Sequence, residues 1–177
     1  MSGMWMETHR GGRFYPGWPE HLVPDIKDIA HALSNICRFG GHCARFYSVA
    51  EHSIHVARLL PPELRLQGLM HDAAEYVMGD MPTPLKRALH DYRVLEAKVW
   101  AVIADTFGLP LNLDSQVHRA DLSMLALEKR DLHPNASEWP ILDGVVIPNE
   151  PLWLLPPDCA EAAFLDMYRE LAEGCAR

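Results

Sequence analysis

The sequence predicts a mostly α-helical fold, a compact helical bundle, and three observations predict it. Apolar residues recur at helical spacing in several long segments, Pro and Gly positions punctuate those segments, and strand-like alternation is scarce. The opening, Trp5 to Trp18, is aromatic and Gly-rich and reads as irregular or short extended structure. A first helix is expected over Ile26–Cys37. Two more cover Val49–Leu60 and Glu63–Met78, divided by Pro61-Pro62, because proline is tolerated at a helix start and not inside one. The next runs from Asp91 to Phe107, with Leu95, Val99 and Val102 on one face and Gly108-Leu109-Pro110 as its stop. Another spans Ser115 to Arg130, where Val117, Ala120, Met124 and Leu127 repeat at helical spacing. Trp139–Leu155, rich in Pro and Gly, reads as irregular. The last helix starts near Asp158 and carries Ala160, Ala163, Phe164, Met167, Tyr168 and Leu171 at i, i+3, i+4, i+7 spacing. With 177 residues and no internal repeat, residues 1–177 are expected to form a single domain.

Composition narrows the function. The formal charge is −8 and Lys and Arg form no run. A nucleic-acid polymer needs a concentrated basic surface, so it is not the expected partner, whereas a small nucleotide needs only a few local cations. No apolar run approaches the roughly 20 residues of a membrane span. Cys37, Cys43, Cys159 and Cys175 form no C-x-x-C pair, and nothing upstream resembles a secretory signal. They are read as reduced thiols of a cytoplasmic protein.

The chemistry concentrates in Leu69-Met70-His71-Asp72-Ala73-Ala74-Glu75. On a helix His71, Asp72 and Glu75 sit at i, i+1 and i+4, on one side. Their neighbours Leu66, Leu69, Met70, Ala73, Ala74 and Val77 are apolar, so an imidazole and two carboxylates there carry a desolvation cost. A divalent cation compensates it and accepts an imidazole nitrogen directly. His52 lies among Val49, Val56 and Leu60 on the preceding helix, and Asp121 interrupts the apolar face of Ser115–Arg130. Each alone is more often a hydrogen-bonded core residue than a ligand; three helices each contributing one suggest a shared site.

The order His52, His71-Asp72, Asp121 resembles the metal signature of the HD-domain phosphohydrolase superfamily. Ser48-Val49-Ala50-Glu51-His52-Ser53, His71-Asp72-Ala73-Ala74-Glu75 and Gly79-Asp80-Met81-Pro82-Thr83-Pro84-Leu85-Lys86 together resemble its 5′-deoxynucleotidase branch and related phage deoxynucleoside triphosphate hydrolases. The resemblance covers Arg38 to Glu128. It implies a helical bundle of the HD-domain type in which His52, His71, Asp72 and Asp121 hold one divalent ion (Mn, Co, Mg, Zn or Fe), with Glu75 as general base or acid, or as a partner orienting a ligand. It further implies that Arg38 clamps phosphate, Phe39 (where the family usually carries Trp) stacks on the base, Asp80 meets a sugar hydroxyl, Pro84 packs near the nucleoside and Lys86 approaches the phosphates. Gly79-Asp80 makes a turn, and Pro82 and Pro84 stiffen the segment after it.

His42 is read as an extra site residue or a loop histidine capping backbone. His118 and Arg119 are read as contacts to outer phosphates or as a solvated helix face. His55 is left out of the ligand set, and His31 is read as a packed helix residue. The expected activity is hydrolysis of a nucleoside 5′-monophosphate, most readily a deoxynucleotide. Removal of triphosphate from a deoxynucleoside triphosphate and a non-catalytic nucleotide sensor are the alternatives. Relatives of this kind assemble, so a homo-oligomer is expected.

Overall fold

The computed structural model describes residues 4–174, which are mostly helical. The chain opens on a small hairpin: β1 (Met6–Glu7) pairs antiparallel with β2 (Arg13–Phe14), placing Met6 opposite Phe14. α1 (Ile26–Asn35) starts where the Asp25 carboxylate accepts from Lys27 N at 2.8 Å. Asp28 of α1 ties the hairpin down, accepting from Thr8 Oγ1 at 2.7 Å and from Arg10 N at 2.8 Å.

α2 (Val49–Arg58) is the central helix, and every residue from Val49 to Ala57 is buried. One side, with Ala50, Ile54 and Ala57, joins Ile29 and Leu33 of α1 in the main core. The other, with Val56, joins Leu60 and Leu64 in a second core. The expected helix over Glu63–Met78 is not continuous. A 3-10 turn at Pro62–Leu64 leads into α3 (Arg65–Met70), and α4 (Glu75–Met78) follows after four turn residues. There Ala73 N donates to Met70 O at 2.9 Å and Glu75 N to Asp72 O at 3.0 Å, so the chain winds more tightly than an α-helix. Helical spacing of apolar residues persists through such a tightening, which is why the pattern did not reveal it.

The stretch read as a stiffened loop after Gly79 closes into the short α5 (Thr83–Ala88), with proline at its start. α6 (His90–Phe107) ends at Gly108, whose φ of 65° makes a left-handed cap. α7 (Ser115–Leu132) begins at an Asp114 cap, runs two residues beyond its expected end, and lays Val117, Ala120, Met124 and Leu127 on the second core. α8 (Pro157–Gly174) closes the main core with Ala160 and Phe164, and Cys175 lies outside the described residues. Among the described residues no helix is long and apolar enough to cross a membrane.

Two contacts hold the parts that position the site. Residues 139–155 are irregular apart from a 3-10 turn at Pro140–Leu142. They are anchored by buried Glu51, whose carboxylate accepts from the backbone N–H groups of Trp153, Leu154 and Leu155 at 2.8, 2.8 and 2.7 Å. α3 lies close against α2 because Gly68 has no side chain. A Cβ there would come within 2.5 Å of Leu60 Cδ1 and 3.0 Å of Ala57 Cα. Since backbone cannot yield as a side-chain tip does, Gly68→Ala is expected to destabilise the fold by about 1–3 kcal/mol, read from chemical denaturation midpoints.

Candidate metal centre

α2, the turn after α3, and α7 each bring one element of a buried polar cluster together. His52 is fully buried in the middle of α2, and His71 and Asp72 follow the last residue of α3 directly. Asp121 comes from the second turn of α7. His52, His71 and Asp72 form a group able to hold a metal ion, with donor atoms all within 4.8 Å of one another. Asp121 Oδ1 stands 3.3 Å from His52 Nε2.

The partners of the two imidazoles define which atoms are free. His71 Nδ1 lies 2.8 Å from the carbonyl oxygen of Gly68, which can only accept, so Nδ1 carries the hydrogen. His52 Nδ1 lies 2.6 Å from Glu128 Oε1, a buried carboxylate that also accepts. Both Nε2 atoms are therefore left to face each other at 3.3 Å, with Asp72 Oδ2 3.2 Å from one and 3.7 Å from the other. Two imidazole nitrogens and the Asp72 carboxylate thus converge on one spot with Asp121 beside His52, an arrangement in which a cation can take the place of the ring protons. The donor set fits a metal ion.

Electrostatics agree. Burial alone would raise the Asp72 carboxyl, but His71, His52 and Arg38 beside it hold it well below the usual range. Asp121 is lowered against the same burial by His52 and His71, and Glu128 by Arg38 and His52. Burial and Arg38 disfavour a charged His52, yet Glu128 and Asp121 push its pKa up to about 9. The cluster thus keeps its carboxylates ionised and draws in protons, which a metal ion would displace on binding.

Around this cluster opens a cavity of about 840 Å³, within the range of small-molecule sites. Asp72, Asp121, Arg38, Phe39, Glu75, Asp80, Pro84 and Lys86 all line it. Arg38 is buried, with Nε and Nη2 3.2 and 3.1 Å from Glu128 Oε2 and Nη1 3.5 Å from Asp72. Asp80 Oδ2 accepts from Phe39 N at 2.9 Å, fixing Phe39 in a left-handed conformation with φ of 58°. Burial raises Glu75 well above the usual carboxyl range, and Asp72 and Asp80 add to the effect. Its Oε2 has no hydrogen-bond partner among the described residues, while Oε1 is 3.7 Å from Lys86 Nζ. Lys86 is held in turn by Glu96 at 2.7 Å.

Other singled-out residues lie elsewhere. His42, His118 and Arg119 are exposed and do not line the cavity. Arg119 donates to Ser115 Oγ at 3.1 Å and borders a separate 330 Å³ groove, so neither it nor His118 faces this site. His55 packs on Trp153, with ring centroids 4.5 Å apart, and His31 pairs with Glu161 at 2.9 Å. Cys37, Cys43 and Cys159 are free thiols. The Cys37 and Cys43 sulfurs lie 3.5 Å apart, and burial pushes the Cys43 thiol up to about 11.

Three residues of the site escaped sequence reading. Glu128 follows Asp121 by seven positions, two turns along one helix, so a second acid on that apolar face was a usable signal. Glu96 and Trp139 carry none, because only the packing of separate elements brings Trp139 to the cavity and Glu96 to Lys86.

No family model matches the chain. It is 45% identical over 176 residues to the uncharacterized protein YfdR of Escherichia coli K12, covering 95% of this chain and 96% of that protein. It is also 37% identical over 130 residues to an uncharacterized protein of Rhodobacter capsulatus, covering 68% of this chain and 66% of the relative. Similarity over nearly the full length of both chains places this protein in the family of Escherichia coli YfdR.

Proposed function

We propose that this protein is a metal-dependent phosphohydrolase of the HD-domain type that cleaves a (deoxy)nucleoside 5′-monophosphate to nucleoside and phosphate. The observation that carries the reading is the pair of Nε2 atoms from His52 and His71 converging with Asp72, with Asp121 beside His52, at a cavity also lined by Arg38, Glu75 and Lys86. His52, His71, Asp72 and Asp121 would hold the ion, which supplies Lewis acidity toward water and a phosphoryl oxygen when bound.

The chain's own residues divide the remaining work. Arg38 and Lys86 bind phosphate oxygens, and their carboxylate partners Glu128 and Glu96 keep both cations in place. Glu75, pushed toward its neutral form by burial, holds a proton at a carboxyl inside the cavity. It either gives that proton to the departing sugar oxygen or, once ionised, takes one from the attacking water. Glu75→Ala is therefore expected to retain metal affinity and lower kcat by about 10²-fold, and full retained activity would remove Glu75 from this role.

One observation favours a second reading, loss of tripolyphosphate from a deoxynucleoside triphosphate. Arg87 lines the cavity, is exposed, and has no carboxylate partner among the described residues, so it is available to a longer phosphate chain. Product analysis with matched mono- and triphosphates in Mn²⁺, Co²⁺, Mg²⁺ and Zn²⁺ separates the two. Orthophosphate and nucleoside from the monophosphate support the first, tripolyphosphate supports the second, and tight nucleotide binding without product would indicate a sensor.

A further inference from the structure

The cavity has an aromatic end that the proposed chemistry does not use. Trp139 lines the 840 Å³ cavity and also a neighbouring hollow of about 460 Å³, so its indole stands as the partition between them. Its ring centroid is 5.4 Å from that of His133 and 6.2 Å from that of Phe39, and His133 meets Phe39 edge-on at 4.5 Å. The cluster begins beside the phosphate-binding end, since the Arg38 guanidinium carbon is 5.3 Å from the centre of the Phe39 ring. Phe39 also holds an uncommon left-handed backbone, secured by Asp80. Strain of this kind persists where the surrounding structure dictates a side chain's position. Pro84 and Ile141 add apolar surface to the same cavity.

A ligand with phosphate at one end and a flat uncharged ring at the other matches this division. We infer that Trp139 is a specificity-determining residue: with Phe39 it forms the wall on which the nucleobase packs, His133 backs both rings from the neighbouring hollow, and the indole closes the site against that hollow. This rests on the nucleotide reading above and extends it to residues 139–141, which lie outside the sequence motifs.

Calorimetry on the Mn²⁺-loaded protein tests it with two ligands that undergo no hydrolysis, deoxyadenosine and inorganic phosphate. Trp139→Ala is expected to weaken deoxyadenosine binding about tenfold or more and to leave phosphate binding unchanged, with Trp139→Phe recovering most of the loss. Wild-type protein that binds phosphate but not deoxyadenosine would overturn the inference. So would unchanged deoxyadenosine binding in Trp139→Ala, or equal weakening of both ligands. A protein that shows the selective loss yet releases no phosphate from any nucleotide would refute the hydrolase reading alone.

Discussion

Asp72→Ala is expected to abolish tight metal binding and to reduce phosphate release by about 10³-fold or more, the scale of losing several kcal/mol of Lewis-acid stabilisation. Asp72 is the hinge of the cluster: its Oδ2 is 3.2 Å from His71 Nε2, 3.7 Å from His52 Nε2 and 3.5 Å from Arg38 Nη1. Its removal takes away an anionic donor and leaves two imidazoles facing each other with only Asp121 to attract a cation. The side chain is 22% exposed and caps no helix, so the fold should survive with little change in Tm. Calorimetric metal titration beside a thermal melt checks both halves. Intact metal affinity in a folded Asp72→Ala protein would remove Asp72 from the ligand set.

The second large effect is on stability. Glu128 has no solvent exposure and neutralises two buried groups at once, accepting from Arg38 at 3.1 and 3.2 Å and from His52 Nδ1 at 2.6 Å. Truncation to alanine leaves a buried guanidinium with only the more distant Asp72 as partner. Stranding a buried charge in this way costs about 3–5 kcal/mol. For a chain of this size that is a fall in Tm of roughly 10 °C. Because Glu128 also holds the hydrogen of His52 on Nδ1, metal affinity should drop about 10- to 100-fold in whatever fraction folds. Glu128→Gln keeps an acceptor for His52 but turns an amide toward Arg38, so it should lose less stability than alanine. Equal thermal stability of wild type and Glu128→Ala would contradict this role for the buried triad.

The helix framework was legible in the sequence where stop and start chemistry is local. Pro61-Pro62 divides α2 from α3, Gly108 ends α6, and periodic apolar residues mark α7 and α8. His52, Asp72 and Asp121 stood out because each interrupts an apolar face, and the structure brings them within a few ångströms. What stayed hidden depends on contacts far apart in the chain. Glu51, part of a motif by resemblance, spends its carboxylate on three backbone N–H groups about a hundred residues downstream. No local pattern specifies that pairing. Asp80 likewise commits one oxygen to the Phe39 backbone, a use that its place in a Gly-Asp turn does not suggest. The break at His71–Ala74 was invisible for a different reason: an α-helix and a tighter turn share nearly the same apolar spacing over one turn.

The proposed cleavage of a nucleoside monophosphate requires a single divalent ion held by His52, His71, Asp72 and Asp121. Its most direct test is phosphate release from deoxyadenosine 5′-monophosphate by chelator-stripped protein as Mn²⁺ is titrated back. Stripped protein is expected to show background activity, and the rate to rise and saturate as one ion per chain is bound. Undiminished release by protein shown to hold no metal, or no release at any occupancy, would contradict the proposed function.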